Sequence, residues 1–314
     1  MIRGFFLFCV FGCYLFADAH IFLYHRFDDA RYPSTNTPNS ALRKQFEFLK
    51  ENNYTVVPLS AIADKLNQNE TLPDKWVALT IDDGYRSFLN ALPIFDEFGY
   101  AFTMFVYVEA TEKKYPDFLT WEELKKLENH NGTLAFHSYS HSHQTKQSEK
   151  ALREDFEKGL GLYEKMLGNK SAFYSYPYGE FNDEVQKIAK DFGFTAILNQ
   201  NMGVISKASD VYDLPRFALT GSTNIKPLVK YENLEAEWIE PKDYPAKGNI
   251  TKVEARINTN VTKAQLYITD LGWRDVKVKE GLISYKINEK LKKQRVRMIL
   301  KIGNKVSTKI LVKD

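Results

Sequence analysis

Cysteine is nearly absent from this chain. Of 314 residues only Cys9 and Cys13 carry thiols, and both lie in one N-terminal apolar stretch. Without that stretch no thiol remains, which excludes disulfides and cysteine chemistry from the rest of the chain and suits an oxidising compartment. No second apolar run is long enough to span a bilayer. Internal repeats and low-complexity tracts are missing too. Histidine is scarce, with 6 in all and none after His143. Any histidine chemistry must therefore come from the first half of the chain.

What is present begins with a targeting pattern. Arg3 supplies a positive start, Phe5 to Phe16 a short apolar core, and Ala17-Asp18-Ala19 a small-residue cleavage site. This predicts a signal peptide over residues 1–19, His20 as the first mature residue, and a periplasmic, extracellular or cell-surface destination. A retained N-terminal anchor is the alternative. A lipoprotein signal through Cys13 fits less well, because the apolar run continues past it. Charge is divided along the chain. Residues 251–314 hold twelve Lys and four Arg against six acids, a net of +10, which leaves −7 for the remainder of a chain whose total is +3. Such a split predicts two bodies with different surfaces.

From His20 onward, apolar runs alternate with amphipathic stretches. Strands are expected at Ile21 to Tyr24, Val77 to Ile81, Phe102 to Val108, Leu134 to Phe136, Ala172 to Tyr176, Phe194 to Leu198 and near Arg216 to Leu219. Helical spacing appears around Leu42, Phe46 and Leu49, through Phe88 to Phe95 with a kink or break at Pro93, and from Leu152 to Leu167. Thr120 to Glu123 has capping-box spacing, and Asn182 is placed to cap a helix through Val185 and Ile188. Repeated strand–helix units over residues 20–234 predict a parallel sheet, a barrel or a doubly wound sheet. Chemistry at successive strand ends favours the barrel. Residues 236–249, with Pro241, Pro245 and Gly248, read as a linker or an irregular strand. Short alternating runs follow, the last two joined by Gly303-Asn304, a two-residue hairpin signal. Residues 235–314 are therefore expected to form a small, basic, all-β, sandwich-like domain.

The chemistry concentrates in two segments. Leu79-Thr80-Ile81-Asp82-Asp83-Gly84 ends an apolar run in two adjacent carboxylates and a glycine, so that a buried strand delivers both acids to its tip. His137-Ser138-Tyr139-Ser140-His141 ends another run with two histidines four apart. Together they supply an Asp/His/His metal set with open positions, the kit of a metal-assisted hydrolase. His143 is expected to be exposed or to stand behind the ligands, and His130 to be a solvated cation at a helix end.

These segments, with Tyr176-Pro177-Tyr178-Gly179 downstream, resemble the three motifs of the polysaccharide deacetylases, carbohydrate esterase family 4 or NodB-homology domain. The resemblance covers roughly residues 20 to 230 and implies a distorted, incomplete (β/α) barrel of about seven strands. It implies that Asp83, His137 and His141 hold a divalent metal, with Asp82 as the base; the N/O donor set itself suits zinc first and cobalt, nickel or iron otherwise. It also implies an oxyanion donor at the backbone N–H of Tyr178, with Pro177 and Tyr176 beside it in the substrate site. Aromatic rings at Tyr174, Tyr176 and Phe181 either stack on sugar or pack the core.

The chain departs from the family pattern twice. The acid histidine of a Leu-x-His motif is missing near the end of the domain, whereas Leu23-Tyr24-His25 stands at its start. First and last strands of a barrel are neighbours, so a permuted order keeps the place, and Tyr24-His25-Arg26-Phe27 is similar to a segment of exported poly-N-acetylglucosamine deacetylases. His25 is thus the expected general acid. Ser175 stands where the family has arginine, and Arg216 in Leu214-Pro215-Arg216-Phe217 is the expected replacement partner for Asp82.

The function implied is an exported, metal-dependent hydrolase that removes N-acetyl groups from an N-acetylglucosamine-containing polysaccharide. The alternatives are a peptidoglycan or small-amide deacetylase on the same fold, and a non-catalytic wall- or matrix-binding protein. The basic β domain would meet an anionic wall polymer, a membrane surface or a partner protein, or present no more than a solvated face. No nucleic acid is expected.

Overall fold

The computed structural model describes residues 18–313, so the predicted targeting stretch up to residue 17, with both cysteines, lies outside the described residues. Strands β1 (His20–Tyr24), β2 (Trp76–Ile81), β3 (Phe102–Val106), β4 (Gly132–Phe136), β5 (Phe173–Ser175), β6 (Ala196–Leu198) and β7 (Phe217–Ala218) form one parallel sheet. Their spatial order is β7-β1-β2-β3-β4-β5-β6, with a two-residue strand, Thr55–Val56, beside β2. Helices lie between successive strands from β1 to β6, and separate apolar cores cover the two sheet faces, which is why β1 and β3 are buried at every position.

The sheet curls into an incomplete barrel. The first strand lies between the last and the second: β1 pairs with β7 through Phe22 and Phe217 and with β2 through Tyr24 and Ile81. Leu214 bridges Leu198 at the end of β6, so the short stretch from Leu214 to Ala218 touches both free edges. Asp18 and Ala19 belong to this folded body. Ala19 exchanges two backbone hydrogen bonds with Ile205, both 2.8 Å, and the Asp18 carboxylate accepts from the Asn233 N–H at 2.7 Å. Among the described residues, no helix is long and apolar enough to cross a membrane.

Local signals behave as their chemistry dictates. Thr120 and Glu123 form a reciprocal capping box on the helix Trp121–Leu127, and the Asn182 side chain accepts from the Val185 N–H. Two expectations need correction. Of the kink or break expected at Pro93, the break does not occur: the helix Phe88–Phe98 is continuous, since one missing N–H removes a single ladder bond and the helix buries Phe88, Ala91, Ile94 and Phe95. The strand expected to reach Val108 stops at Val106, because Val108 begins a short helix, Val108–Glu112, whose first N–H groups serve another loop.

The C-terminal body is all-β. Strands β8 (Glu232–Asn233), β9 (Ala236–Glu240), β10 (Asn249–Ile257), β11 (Lys263–Ile268), β12 (Gly272–Lys279), β13 (Leu282–Lys290), β14 (Arg295–Ile302) and β15 (Lys305–Val312) follow the order β8-β15-β14-β11-β12-β13-β10-β9. Its core of Val253, Leu266, Ile283, Val296, Met298 and Leu300 is separate from those of the barrel. Gly303-Asn304 forms the two-residue turn between β14 and β15, with Ile302 opposite Lys305. The segment expected as a linker or an irregular strand supplies β9, whose register shifts between Trp238 and Glu240.

The helix Glu149–Leu167 carries two glycines with opposite duties. A Cβ on Gly159 would stand 2.7 Å from the Phe136 ring, which is itself boxed in by Phe156, Tyr174 and Phe194. A Cβ on Gly161 would meet nothing within 4 Å. Gly161→Ala should therefore raise stability by up to about 1 kcal/mol through helix propensity. Gly159→Ala should lower it by roughly 1–3 kcal/mol through overpacking. Chemical denaturation of both variants checks this, and equal shifts in the two would refute the packing assignment.

Candidate active site

Strand β2 presents Asp82 and Asp83 at its C-terminal tip, where they diverge. Asp82 is fully buried, and Asp83 turns away in a left-handed conformation at φ 73°, followed by Gly84 at φ 77°. Arg216, itself fully buried just before β7, grips Asp82 with a two-pronged contact: Nη1 to Oδ1 and Nη2 to Oδ2, both 2.8 Å. The remaining guanidinium donors are also used. Nη2 donates to Ser175 Oγ at 2.7 Å, Nη1 to Thr80 Oγ1 at 3.2 Å, and Nε to the Asn199 carbonyl at 2.7 Å. Burial alone would raise the Asp82 carboxyl. The charge of Arg216, the neighbouring His137 and the Arg216 hydrogen bonds outweigh burial and hold it below its ordinary value.

Asp83, His137 and His141 converge on one point. Asp83 Oδ1 lies 3.3 Å from His137 Nε2 and 3.0 Å from His141 Nε2, and the three ligand atoms fall within 4.8 Å of one another. His137 Nδ1 sits 2.7 Å from the Ser175 carbonyl, to which it donates, leaving Nε2 with a free lone pair. Asp83 Oδ1 is buried and has no hydrogen-bond partner. Two ring nitrogens crowding an orphaned carboxylate oxygen fit a shared divalent cation, and a His/His/carboxylate donor set suits zinc or a neighbouring transition metal.

The loop between the histidines is built to hold them. Asp155, on the buried face of the helix Glu149–Leu167, accepts from the Tyr139 and Ser140 N–H groups at 2.9 Å each. Ser138 Oγ accepts from the His141 N–H at 2.8 Å, and the Val108 and Glu109 N–H groups donate to the Ser138 and Tyr139 carbonyls. Asp83, Ser138, His141 and Tyr178 are all non-glycine residues at positive φ. Each such position costs on the order of 1–3 kcal/mol, which the surrounding bonds must offset.

The other expected residues fall as follows. His25 follows β1 directly and stands half-buried, one step beyond the Tyr24–Ile81 pairing and hence level with Asp82. Burial lowers its imidazole from the ordinary value, opposed by the charges of Asp83 and Asp82. Tyr178 is 37% exposed, with its ring 4.6 Å from that of His141. Pro177 is buried, and the Tyr176 ring is fully buried between Tyr174 and Phe181 with its hydroxyl on the Tyr212 carbonyl. Neither Tyr176 nor Tyr174 therefore offers a face for a sugar. His130 Nδ1 pairs with Asp96 at 2.9 Å.

Sequence reasoning missed Asp155, Thr80 and Asn199. Asp155 left a signal, an acid on the apolar stripe of an amphipathic helix between Leu152 and Phe156. Thr80 and Asn199 left none, since their partner Arg216 is 136 and 17 residues away.

Removing the guanidinium leaves Asp82 buried without its counter-ion. Arg216→Met should cost about 3–5 kcal/mol at neutral pH. The wild-type contribution comes from a lowered carboxyl, so it is present above the unfolded carboxyl range and lost as pH falls through the lower folded value. In the variant, burial acts alone and penalises the charged form, a penalty that protonation relieves. The deficit should thus shrink on acidification. Urea denaturation of both proteins across the acid range tests this, and a deficit independent of pH would rule out the pair as its source.

Comparison with known proteins agrees with the geometry. Residues 69–197 match the family model for polysaccharide deacetylase. YxkH of Bacillus subtilis (strain 168), named for the same family, is 25% identical over 201 residues, 64% of this chain and 71% of that one. Poly-beta-1,6-N-acetyl-D-glucosamine N-deacetylase of Escherichia coli (strain K12) is 24% identical over 240 residues, and the match spans 63% of this chain but only 35% of that protein. Among solved structures, the Streptococcus pyogenes deacetylase PplD in complex with acetate superposes at a TM-score of 0.63 with 21% identity, covering 68% of this chain and 97% of that one. IcaB from Ammonifex degensii superposes at 0.58 with 23% identity, covering 65% and 92%. At these identities the two structures speak for the fold. The curled parallel sheet and the three motifs at its strand ends agree with the family match: residues 69–197 of this chain resemble a polysaccharide deacetylase domain.

Proposed function

We propose that the chain is a metal-dependent N-deacetylase of an N-acetylglucosamine-containing polysaccharide. The observation that carries this is the meeting, at one strand end, of an ion-paired Asp82 with the Asp83/His137/His141 cluster. The E. coli relative, named for poly-beta-1,6-N-acetyl-D-glucosamine, supports a substrate of that class. The N-terminal pattern of Arg3, an apolar core and Ala17-Asp18-Ala19 supports export.

Asp83, His137 and His141 would hold the metal, zinc in the first instance. When bound, such an ion polarises the amide carbonyl and makes water a better nucleophile at neutral pH. Asp82 takes the proton from the attacking water. Both its oxygens bind Arg216 and Oδ2 also accepts from the Ser175 hydroxyl at 3.4 Å, so the lone pair that remains for the proton is on Oδ1. Arg216 fixes the direction of that carboxylate and keeps it ionised. The Tyr178 N–H donates to the carbonyl oxygen as negative charge builds on it. His25, level with Asp82 on the neighbouring strand, gives a proton to the departing sugar amine, and its burial makes it a readier donor once charged.

Acetate release from poly-N-acetylglucosamine, peptidoglycan and chitin oligomers, with and without chelator, tests the proposal. Release from the first, lost with chelator and restored by zinc, is expected. Release from peptidoglycan alone would move the substrate, and binding without release from any polymer would favour a non-catalytic protein. Asp82→Asn should retain metal and lose activity by roughly two to four orders of magnitude. His137→Ala should lose both, and elemental analysis showing full occupancy in that variant would remove His137 from the ligand set.

His25→Ala should keep metal content and KM while lowering kcat by about 10²-fold or more. An unchanged kcat would assign the acid to another group.

A further inference from the structure

Tyr178 sits in a conformation that a tyrosine does not adopt unaided. Its φ is 60° and ψ 2°, inside a single turn, Pro177–Gly179. Its N–H has no acceptor among the described residues, whereas the next two, Gly179 and Glu180, donate to the Tyr176 and Pro177 carbonyls. The tyrosine ring is clamped between two histidines. The His141 ring meets it at 4.6 Å and 64°, and the His143 ring lies nearly parallel to it at 4.3 Å and 14°. His143 is anchored in turn, for its Nδ1 is 2.7 Å from Oε2 of Glu180, a buried carboxylate two residues past the tyrosine. The chain thus closes a small ring of contacts from Tyr178 through His143 to Glu180 and back along the backbone.

We propose that His143, held by Glu180, is a positioning residue for Tyr178. Its stacked ring keeps the tyrosine in the left-handed conformation and so keeps the unpaired Tyr178 N–H available to the substrate carbonyl. This rests on the assignment of that N–H as the oxyanion donor. His143 lies outside the metal set, which takes only Asp83, His137 and His141. Its face, and not its charge, does the holding. A flat aromatic ring at position 143 should therefore serve nearly as well as imidazole.

The test uses the full zinc-loaded chain, acetate release from poly-N-acetylglucosamine oligomers, elemental analysis and the amide resonance of Tyr178 in 15N-labelled protein. His143→Ala should lower kcat about tenfold with KM and zinc content unchanged, and should shift or broaden the Tyr178 amide. His143→Phe should restore kcat to within about threefold of wild type together with the wild-type resonance. In a Tyr178→Gly background, where glycine adopts positive φ unaided, His143→Ala should add less than twofold. The proposal is overturned if His143→Ala keeps more than half of the wild-type kcat. Loss of zinc in that variant, failure of phenylalanine to rescue, or an undiminished effect in the Tyr178→Gly background would each overturn it too. Should the alanine variant not fold, His143→Phe and Glu180→Gln carry the test, the latter expected to lower kcat two- to fivefold without loss of zinc. If the wild-type chain releases no acetate from any polymer, the deacetylase assignment fails, while the Tyr178 resonance still reports on the positioning contact.

Discussion

A fully buried arginine is costly unless every donor finds a partner, and Arg216 is the residue around which this domain is arranged. Its guanidinium reaches Thr80 on β2, Asp82 just past it, Ser175 on β5 and Asn199 just past β6, while its own backbone leads into β7. Those partners come from both sides of the seam where the parallel sheet fails to close. The ion pair therefore does structural and electrostatic work together. It ties the free edges of the incomplete barrel and sets the orientation and ionisation of Asp82. Either partner alone in that interior would be strongly destabilising.

Ser175 joins this pair to the metal-type cluster. Its hydroxyl accepts from Arg216, and its carbonyl accepts from His137 Nδ1. One residue of β5 thus braces both the Arg216–Asp82 pair and His137. Around the cluster, left-handed backbone at Asp83, Ser138, His141 and Tyr178 is held by neighbours that supply hydrogen bonds from elsewhere: Asp155 from a helix, Val108 and Glu109 from a helix start, and the His143–Glu180 contact from the rim. Strain gathered in four places around one point is what a preorganised site looks like when its scaffold is stiff enough to hold it.

The sheet makes neighbours of its first and last strands. Because β1 lies between β7 and β2, a histidine at the tip of β1 occupies the end of the sheet that a histidine at the tip of a last strand would occupy. The same curl brings Arg216, just before β7, to Asp82 past β2 and to Ser175 on β5. Spatial neighbours across a parallel sheet can trade residues although they stand far apart in the chain.

The sequence by itself determined the parts whose physics is local. Apolar runs ending in Asp82-Asp83-Gly84 and in His137 marked two strand tips, Thr120 and Asn182 marked helix starts, and Gly303-Asn304 marked a hairpin turn. Each of these depends on residues within a few positions of one another. Tertiary structure alone decided what depends on distant segments meeting. It buried the Tyr176 ring, carried the helix through Pro93, ended β3 at Val106 so that a helix start could brace the histidine loop, and surrounded Arg216 with Thr80, Ser175 and Asn199. A buried charge is satisfied by whatever donors and acceptors the fold brings to it, and no periodicity in the chain announces which those will be.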